Sequence, residues 1–484
     1  MFAIIITISL FSQTYEITIH SQQNQMQCRS LARSDNMTTF ALLNEVILTS
    51  NYYEIQCINN KIIEIADDGT IIKEKEIISP PGKELNCMKI IVVGDTLMVA
   101  GMAKNVSDSS LSLFYYYTDQ NLLADSIVFF AQNSIIYDCN FIKENPLREE
   151  VLFICCDDWT NFYRSYIILV DYYGNVKHIS NPEVSVATFS FYWPSENVYV
   201  LGGEYINAYD GNNFTALGTI FDREWYQMNI DEEFGIYLTE SVLKNDSVWL
   251  TAGSRVDGAE FSQYILNGSI GLYEWDSSLT PRELITLPHE YKNNTVFQDC
   301  FVLSNEHTAF LAINSCEVDF ENFEYCPVSS LRVVKMDIAN STVLWQKYIY
   351  CIEKSMPMQI IPTEDGGCVV GGFKHSPFQH SSMHAFIIKF DQYGNPAGTG
   401  NSREVSDFML FPNPTSDYFF IQSSDNNIGD CMLTIYDVSG RVVLKGFSCE
   451  ENFMYNVSHL KQGVYFVEIK SDNNNRQIRK LLKQ

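Results

Sequence analysis

One short pattern recurs between about Thr38 and Gly400: an apolar strand, a tight turn rich in Asp, Gly and Asn, then another apolar strand. It is clearest near the end of that region. Met358-Gln359-Ile360-Ile361 reads as a first strand, Glu364-Asp365-Gly366-Gly367 as a turn and Cys368 to Phe373 as a second strand. After the loop Lys374 to His384 come a third strand, Ala385 to Phe390, the turn Asp391-Gln392-Tyr393-Gly394-Asn395 and a short fourth strand. Such turns use Gly for positive φ and Asp or Asn to satisfy the backbone.

The same order is legible upstream. Lys61 to Ala66 and Ile71 to Ile78 flank Asp67-Asp68-Gly69-Thr70. Second, third and fourth strands follow at Thr96 to Met102, Leu111 to Tyr117 and Leu122 to Phe130, then at Val151 to Cys156, Ser165 to Asp171 and Val176 to Ser180. A compact unit runs Val198 to Gly202, Tyr205 to Asp210 and Phe214 to Ile220. Two more units run Ser247 to Ser254, Ser269 to Asp276, Arg282 to Leu287, and Thr308 to Asn314, Ser329 to Asp337, Thr342 to Tyr350. The turns before the fourth strands fall near residues 69, 120, 174, 211, 277, 340 and 394, about 37 to 66 apart, the range of four-stranded propeller units. No capped amphipathic run of useful length argues for a helix. The predicted fold is therefore all-β: a seven-bladed β-propeller over residues 15–400, with six or eight blades, or a pair of stacked β-sandwiches, as the competing arrangements. Its last fourth strand, near Pro396 to Gly400, is short, so Tyr15 to Ser21 is expected to pair there and latch the ring. The units resemble the divergent, Gly-poor propeller repeats of bacterial cell-surface proteins.

The last stretch is different in kind. After a linker at 401–410, Pro412 and Pro414 fix φ and force an extended lead-in, so no helix starts there. Leu433, Ile435 and Tyr436 with Val442 to Leu444 flank the loop Asp437-Val438-Ser439-Gly440 as a hairpin. From Gly463, the residues Val464, Phe466, Glu468 and Tyr465, Val467, Ile469 point to opposite faces, and a basic tail, Arg479 to Gln484, follows. These residues alone describe a small antiparallel, Ig-like β-sandwich at 411–484. In order and spacing, the pieces Phe411-Pro412-Asn413-Pro414-Thr415, Ile435 to Val443, Gly463 to Ile469 and Arg479-Lys480-Leu481-Leu482-Lys483 resemble the type A C-terminal sorting domain of cargo exported by the type IX secretion system of Bacteroidetes. The resemblance implies that Pro412, Asn413, Pro414, Asp437, Gly440, Arg441, Gly463, Tyr465, Lys480, Leu481 and Lys483 carry a sorting signal. It implies recognition by the secretion translocon and sorting machinery, removal of the domain and attachment at the surface. Cys431 and Cys449 are additions to the family pattern, either paired across the sandwich or buried as thiols.

Met1 to Phe11 is an apolar run ending in Ser12-Gln13-Thr14, too short for a membrane helix and suited to the core of a signal peptide at 1–14; the alternative is an N-terminal strand. No later segment has the length of a membrane span. With 32 basic residues against 59 acidic ones, the net charge of −27 argues against nucleic acid or an anionic membrane as partner. The 13 cysteines are odd in number and form no CxxC pair. Most, such as Cys155-Cys156 and Cys368, sit inside apolar runs and read as small buried hydrophobes. Cys316 and Cys326 bracket a loop and form the disulfide candidate.

In a propeller the loops joining second to third strands share a face with those joining successive units, where ligands bind at the channel mouth. Here those loops are long and polar. Asp157, Asp158 and Trp159 open one and Asp257 and Glu260 sit in another, the acid and aromatic residue types that hold glycans; a plain strand-ending turn is the alternative. Glu317, Asp319 and Glu321 offer oxygens for a hard cation but match no known loop spacing, so a solvated acidic loop competes. His375, His380 and His384 lack a neighbouring carboxylate pattern. No GxSxG, HExxH or P-loop is present, and no residue is marked as a nucleophile. No catalytic residue, cofactor or metal is therefore assigned. The expectation is a secreted or cell-surface binding module for glycan or protein. A propeller hydrolase of the glycosidase or peptidase kind, or a structural surface component, is the alternative.

Overall fold

A computed structural model describes residues 5–11, 14–20, 25–48, 55–123, 125–131, 138–156, 165–180, 186–193, 198–206, 213–221, 224–229, 236–255, 269–275, 282–288, 293–316, 329–351, 354–375, 383–396, 408–423, 431–438, 441–448, 455–471 and 476–484. Among these residues every regular element is a β-strand. The chain divides into two compact units, Met1–Ile349 with Glu353–Gly398, and Thr399–Gln484 with Tyr350–Ile352.

Among the described residues the first unit holds seven antiparallel sheets whose own strands lie side by side in chain order. Sheet 1 is Gln25–Arg33, Thr39–Leu48, Ile55–Ile65 and Ile71–Ile77; sheet 2 is Lys83–Val93, Thr96–Asn105, Leu111–Asp119 and Asp125–Phe130. Sheet 3 is Asp138–Asn145, Glu150–Cys156, Ser165–Asp171 and Val176–Ser180; sheet 4 is Val186–Trp193, Val198–Ile206, Asn213–Phe221 and Glu224–Asn229. Sheet 5 is Ile236–Asn245, Val248–Arg255, Ile270–Trp275 and Arg282–Leu287; sheet 6 is Asn293–Asn305, Thr308–Cys316, Ser329–Asp337 and Thr342–Cys351. Sheet 7 has three strands from its own repeat, Lys354–Pro362, Cys368–His375 and Met383–Phe390. Its fourth position is taken by Thr14–His20, paired from Tyr15 opposite Lys389 to Ile19 opposite Ala385, with Ile5–Phe11 outside it. First strands of successive sheets are neighbours, and that of sheet 7 touches that of sheet 1. The arrangement is β-propeller-like.

The latch expected at Tyr15 thus forms, but beside the third strand of sheet 7, in place of the fourth. Of the expected fourth strand only a single bridge, Phe390 to Pro396, is present among the described residues. Two further expectations need correction. Val198 to Gly202 and Tyr205 to Asp210 are not two strands: Val198–Ile206 is one continuous second strand, the third is Asn213–Phe221, and the fourth is Glu224–Asn229. In sheet 2 the fourth strand starts at Asp125, because Leu122 takes φ +60° in a turn closed by the Leu123 amide on Asp119 Oδ1 (2.7 Å). With these changes first strands begin at Gln25, Lys83, Asp138, Val186, Ile236, Asn293 and Lys354, a more even repeat of 48 to 61 residues.

A sheet between two others buries both faces, which is why Leu111–Asp119 is apolar almost throughout. Leu113 and Tyr115 pack towards sheet 3, with Phe130, Phe153, Ile168 and Val170. Phe114 and Tyr116 pack the other way, with Phe40, Leu42 and Ile62 of sheet 1. Tyr115, Phe130 and Phe153 form an aromatic trio with ring centres 4.7–5.8 Å apart. Each such side chain contributes about 1.5–3 kcal/mol by burial.

Every first strand carries a bulge against its second strand: Cys28/Ser30, Cys87/Lys89, Cys139/Phe141, Ala187/Phe189, Leu238/Glu240, Val296/Phe301 and Pro357/Gln359. In four sheets a glycine stands opposite the bulge, pairing as Cys87–Gly101, Ala187–Gly203, Leu238–Gly253 and Pro357–Gly372. The reason is visible at Gly101 and Gly372, where an added Cβ would lie 2.2 Å from the carbonyl oxygens of Asn86 and Met356. The bulged strand leans its carbonyl over its partner, leaving no room for a side chain.

In the second unit, Phe408–Phe411, Tyr418–Ser423 and Tyr455–Asn456 form one sheet, and Val442–Ser448, Cys431–Asp437, Gly463–Ser471 and Arg476–Lys483 another, in that order. The first of these strands begins ahead of the expected boundary at 411. Both sheets feed one core, with Phe419 and Ile421 from the first and Leu433, Ile435, Val467, Ile469 and Leu481 from the second.

Candidate functional site

A bulge frees backbone groups and turns one side chain out of the period-2 alternation. Polar side chains of the adjoining sheets meet those freed groups. Asn44 Nδ2 donates to the Cys87 carbonyl (2.9 Å), and the Cys87 amide donates to Asn60 Oδ1 (3.3 Å), so sheet 1 satisfies the bulge of sheet 2. Gln359 Oε1 of sheet 7 accepts from the Ser30 hydroxyl (2.8 Å) and the Leu31 amide (2.7 Å), and Ser30 Oγ accepts from the Ile90 amide (3.1 Å).

At the same level lies a charge cluster drawn from four sheets. Lys89 Nζ is 2.6 Å from Asp299 Oδ2, and Lys143 Nζ is 2.5 Å from Glu240 Oε1 and 3.7 Å from Asp299 Oδ1. Glu240 also accepts from the Ser241 amide (2.8 Å) and from the Asp299 amide. Asp299 sits in the bulge of sheet 6 with φ +58°, a left-handed conformation that Asp tolerates better than most residues. Burial alone would push Lys143 down, but Glu240 and Asp299 outweigh it and raise it. Burial would raise Asp299, yet Lys89 and Lys143 hold it below the usual carboxylate range. At Glu240 burial prevails over Lys143 and the carboxyl is raised. Burial also raises Glu144, against the hydrogen bond it accepts from the Tyr172 hydroxyl (2.6 Å). Lys89, Lys143, Glu144 and Asp299 border a central cavity of about 330 Å³ lined by first-strand residues of sheets 1, 2, 3, 6 and 7, among them Arg33 and Gln359.

A second cluster clasps the seam between sheets 7 and 1. Arg33 binds Glu364 through Nε (3.1 and 2.8 Å) and Asp67 through Nη2 (2.8 Å). Lys389, 1% exposed, bridges Asp67 (3.1 Å) and Asp365 (3.2 Å). Lys389 is also the residue opposite Tyr15 in the latch.

Of the residues singled out in the sequence, Asp157, Asp158, Trp159, Asp257, Glu260, Glu317, Asp319, Glu321, Cys326, His380, Gly440 and Cys449 lie outside the described residues. Cys316 ends the second strand of sheet 6, opposite Ser329. Cys155 and Cys368 are fully buried free thiols. Burial pushes the Cys28 thiol up to about 12. Among the described residues no three His, Cys, Asp or Glu side chains gather as metal ligands, and no helix is long and apolar enough to cross a membrane. The sequence reading missed Lys89, Lys143, Glu240 and Asp299. Their signal was a charge in the middle of an otherwise strand-like run.

In the second unit Asn413, one of the residues expected to carry a sorting signal, reaches the last strand. Asn413 Nδ2 donates to the Lys480 carbonyl (2.5 Å) while its Oδ1 accepts from the Leu482 amide (2.8 Å). The Thr415 amide donates to the Leu482 carbonyl (2.7 Å), and the Gln484 amide to that of Thr415 (2.8 Å). The basic tail is thus a paired strand, with Leu481 in the core and Lys480 exposed. Asp437 holds its turn by accepting from the Arg441 amide (3.1 Å) and Nε (3.0 Å), and the Tyr465 hydroxyl donates to the Lys461 carbonyl (2.8 Å). Pro412 and Pro414 flank Asn413 in the chain, and Gly463 stands opposite Lys483.

Comparison with known proteins bears on both units. An endo-acting ulvan lyase of Formosa agariphila is 36% identical over 83 residues, which is 17% of this chain and only 16% of the lyase. The β-propeller domain of the Trilobed protease from Pyrococcus furiosus aligns over 78% of this chain and 99% of its own, with a TM-score of 0.43 and 11% identity. The uncomplexed acylaminoacyl peptidase of Pyrococcus horikoshii aligns over 83% and 58%, with a TM-score of 0.46 and 10% identity. Likenesses at that level say nothing of activity. The model of the secretion system C-terminal sorting domain matches residues 409–484. Behind a β-propeller-like region, the chain carries the C-terminal sorting domain that marks cargo of the type IX secretion system.

Proposed function

We propose that the exported region is a seven-bladed propeller acting as a binding or interaction module outside the cell, towards glycan or protein, and that the label behind it is an Ig-like sandwich. The sorting machinery is the partner of the label, and the apolar start of the chain is a signal peptide removed on the way out. The observation that carries the binding reading is the state of the central acids. Asp299 is held between two lysines and Glu240 by one, so these two carboxylates serve to join sheets. A rigid ring of this kind leaves recognition to its turns and loops.

A second reading, a hydrolase acting on extracellular polymers, draws on one feature of the same cluster. Glu240 is raised while Asp299 beside it is lowered, and neighbouring carboxyls pushed apart are the usual property of an acid and base pair. The lyase relative fits a polysaccharide as substrate, but its match has the length of the label, not of the seven sheets. The full chain, incubated on a glycan array while released reducing ends are assayed, separates the two. Retention on glycans without product supports binding, whereas turnover abolished by Glu240→Gln would replace it with the hydrolase.

A further inference from the structure

Between one end of sheet 2 and one end of sheet 3 lies a cleft of about 430 Å³, lined by Val93, Thr96, Met98 and Tyr117 of the former and Glu149, Tyr172 and Tyr173 of the latter. It opens at the end of the sheets that bears the first-to-second and third-to-fourth turns, opposite the long loops from which a ligand site was expected. We propose that this cleft binds an uncharged glycan. The proposal rests on the reading of the exported region as a binding module and assigns it a subsite.

Its walls are aromatic and held in place. Tyr117 donates its hydroxyl to the Tyr172 carbonyl (2.6 Å), and Tyr172 donates its own to Glu144 (2.6 Å), so both rings are fixed by bonds at their polar ends. Met98, fully buried, forms the floor. Tyr173 is different: it is 75% exposed at the rim, on a turn that Asp171 Oδ1 ties down by accepting from the amides of Tyr173 (3.0 Å) and Asn175 (2.9 Å). A large ring presented on a rigid turn adds contact area at low entropic cost. Sugar rings present one C–H face to such a surface and hydroxyls at their edge, so they need acceptors and donors beside the aromatic ring. Glu149 and Thr96 supply them. Neither side chain makes a hydrogen bond or ion pair among the described residues.

Glu149 adds an independent observation. It lies at φ +54° in the turn before the second strand of sheet 3, where Gly or Asn would sit with less strain. Its backbone has a structural task, since its carbonyl accepts from the Tyr172 amide (3.0 Å), but glycine would perform that equally well. Among the described residues the carboxylate has no such task. Strained residues of this kind gather at sites of function.

The charge around the cleft sets the glycan class. Cations of the adjoining turns are already committed, Arg148 to Glu150 (3.2 Å) and Lys177 to Asp171 (2.8 Å). An unpaired Glu149 carboxylate then repels uronate or sulfate groups, and a net charge of −27 adds to this. Neutral hydroxyl-rich oligosaccharides are what remains.

The test titrates the purified full chain with neutral cello-, laminari-, xylo- and malto-hexaose and with anionic oligogalacturonate, using calorimetry. Wild type is expected to bind at least one neutral hexaose and not the anionic one. Tyr173→Ala should weaken that binding by about tenfold or more, the scale of a central aromatic anchor. Glu149→Gly should weaken it several-fold while leaving the thermal midpoint unchanged or higher, a combination that a purely structural role cannot give. Undiminished neutral binding in both variants would overturn the subsite and leave the binding module standing. If wild type binds none of the oligosaccharides in the panel, the glycan-binding reading falls, and the subsite with it. Binding confined to the anionic oligosaccharide would overturn the charge argument and the proposal.

Discussion

Asp299→Asn tests whether the central charges hold the sheets together. Asparagine keeps the side-chain shape and accepts the left-handed backbone of residue 299 (φ +58°), so the substitution removes a charge without adding strain. Lys143 retains Glu240 at 2.5 Å, but Lys89, whose side chain is 10% exposed, loses the carboxylate 2.6 Å from its ammonium. Leaving one partner of a buried pair uncompensated costs about 3–5 kcal/mol. The adjoining cavity of about 330 Å³ admits solvent to part of the site, which favours the lower end of that range. With roughly 2 cal/mol/K of unfolding entropy per residue, a unit of this size should lose roughly 3–6 °C in thermal midpoint. Adding Lys89→Met should recover most of the loss, because replacing both ions by uncharged groups of similar volume is close to neutral. The assay is thermal and urea unfolding of the four members of the double-mutant cycle, with an interaction energy of about 2–3 kcal/mol expected. A single variant within about 1 °C of wild type, or losses that simply add, would refute the claim that this pair joins sheets 2 and 6.

Deleting the chain from Phe411 onward should abolish export, with the shortened protein retained inside fractionated cells; normal appearance outside would show that the label is not the address. Removing residues 1–13 should leave the ring intact, because the latch begins at Tyr15, whereas removing residues 1–20 takes away Tyr15, Ile17 and Ile19, all buried, and about 5–9 kcal/mol of burial. Limited proteolysis should distinguish the two deletions, cutting only the second within the strand Met383–Phe390. Gly372→Ala should lower stability by about 1–3 kcal/mol, since its Cβ would meet the Met356 carbonyl at 2.2 Å; an unchanged urea midpoint would show that the bulge can yield.

Much of the ring was legible in the sequence because its turns are spelled out. Asp171 and Asp391 each accept from two amides within Asp-x-Tyr-Gly-Asn, with Gly174 and Gly394 at φ +89° and +78°. Those five residues mark the same corner in sheets 3 and 7. The first strands were largely missed for the converse reason. A bulge interrupts the period of two, and Lys89, Glu240 and Asp299 put charge where a buried strand should be apolar, so pattern reading found no strand there. The compact fourth unit failed on its glycines. Gly202-Gly203 looks like a strand end, but Gly203 stands opposite the bulge at Ala187 and the strand runs through to Ile206. As for function, the sorting label was legible because its pieces, Asn413 and Pro414, the Asp437 turn and the Gly463 strand, stand in a fixed order along the chain. The tyrosine cleft was not, because Tyr117, Glu149 and Tyr173 come together only when two sheets pack.

The position of the latch gives the order of the two units a physical consequence. Closure joins Tyr15 to Lys389, so the ring cannot be completed until nearly all of it has been made. Entropy is a small obstacle to so distant a pairing, for the cost rises only by about 0.6 kcal/mol with each doubling of the loop. Three buried side chains of the latch and the Lys389 bridges to Asp67 and Asp365 comfortably offset it. Before closure, however, Met383–Phe390 presents an unpaired apolar edge, the feature that promotes association between chains. The sorting domain at 409–484 follows that edge in the chain. A chain synthesised as far as the address therefore already contains both strands of the seam, while a product that stops earlier has no address. A label placed after the last sheet thus withholds the address from chains whose synthesis stops before the seam can close.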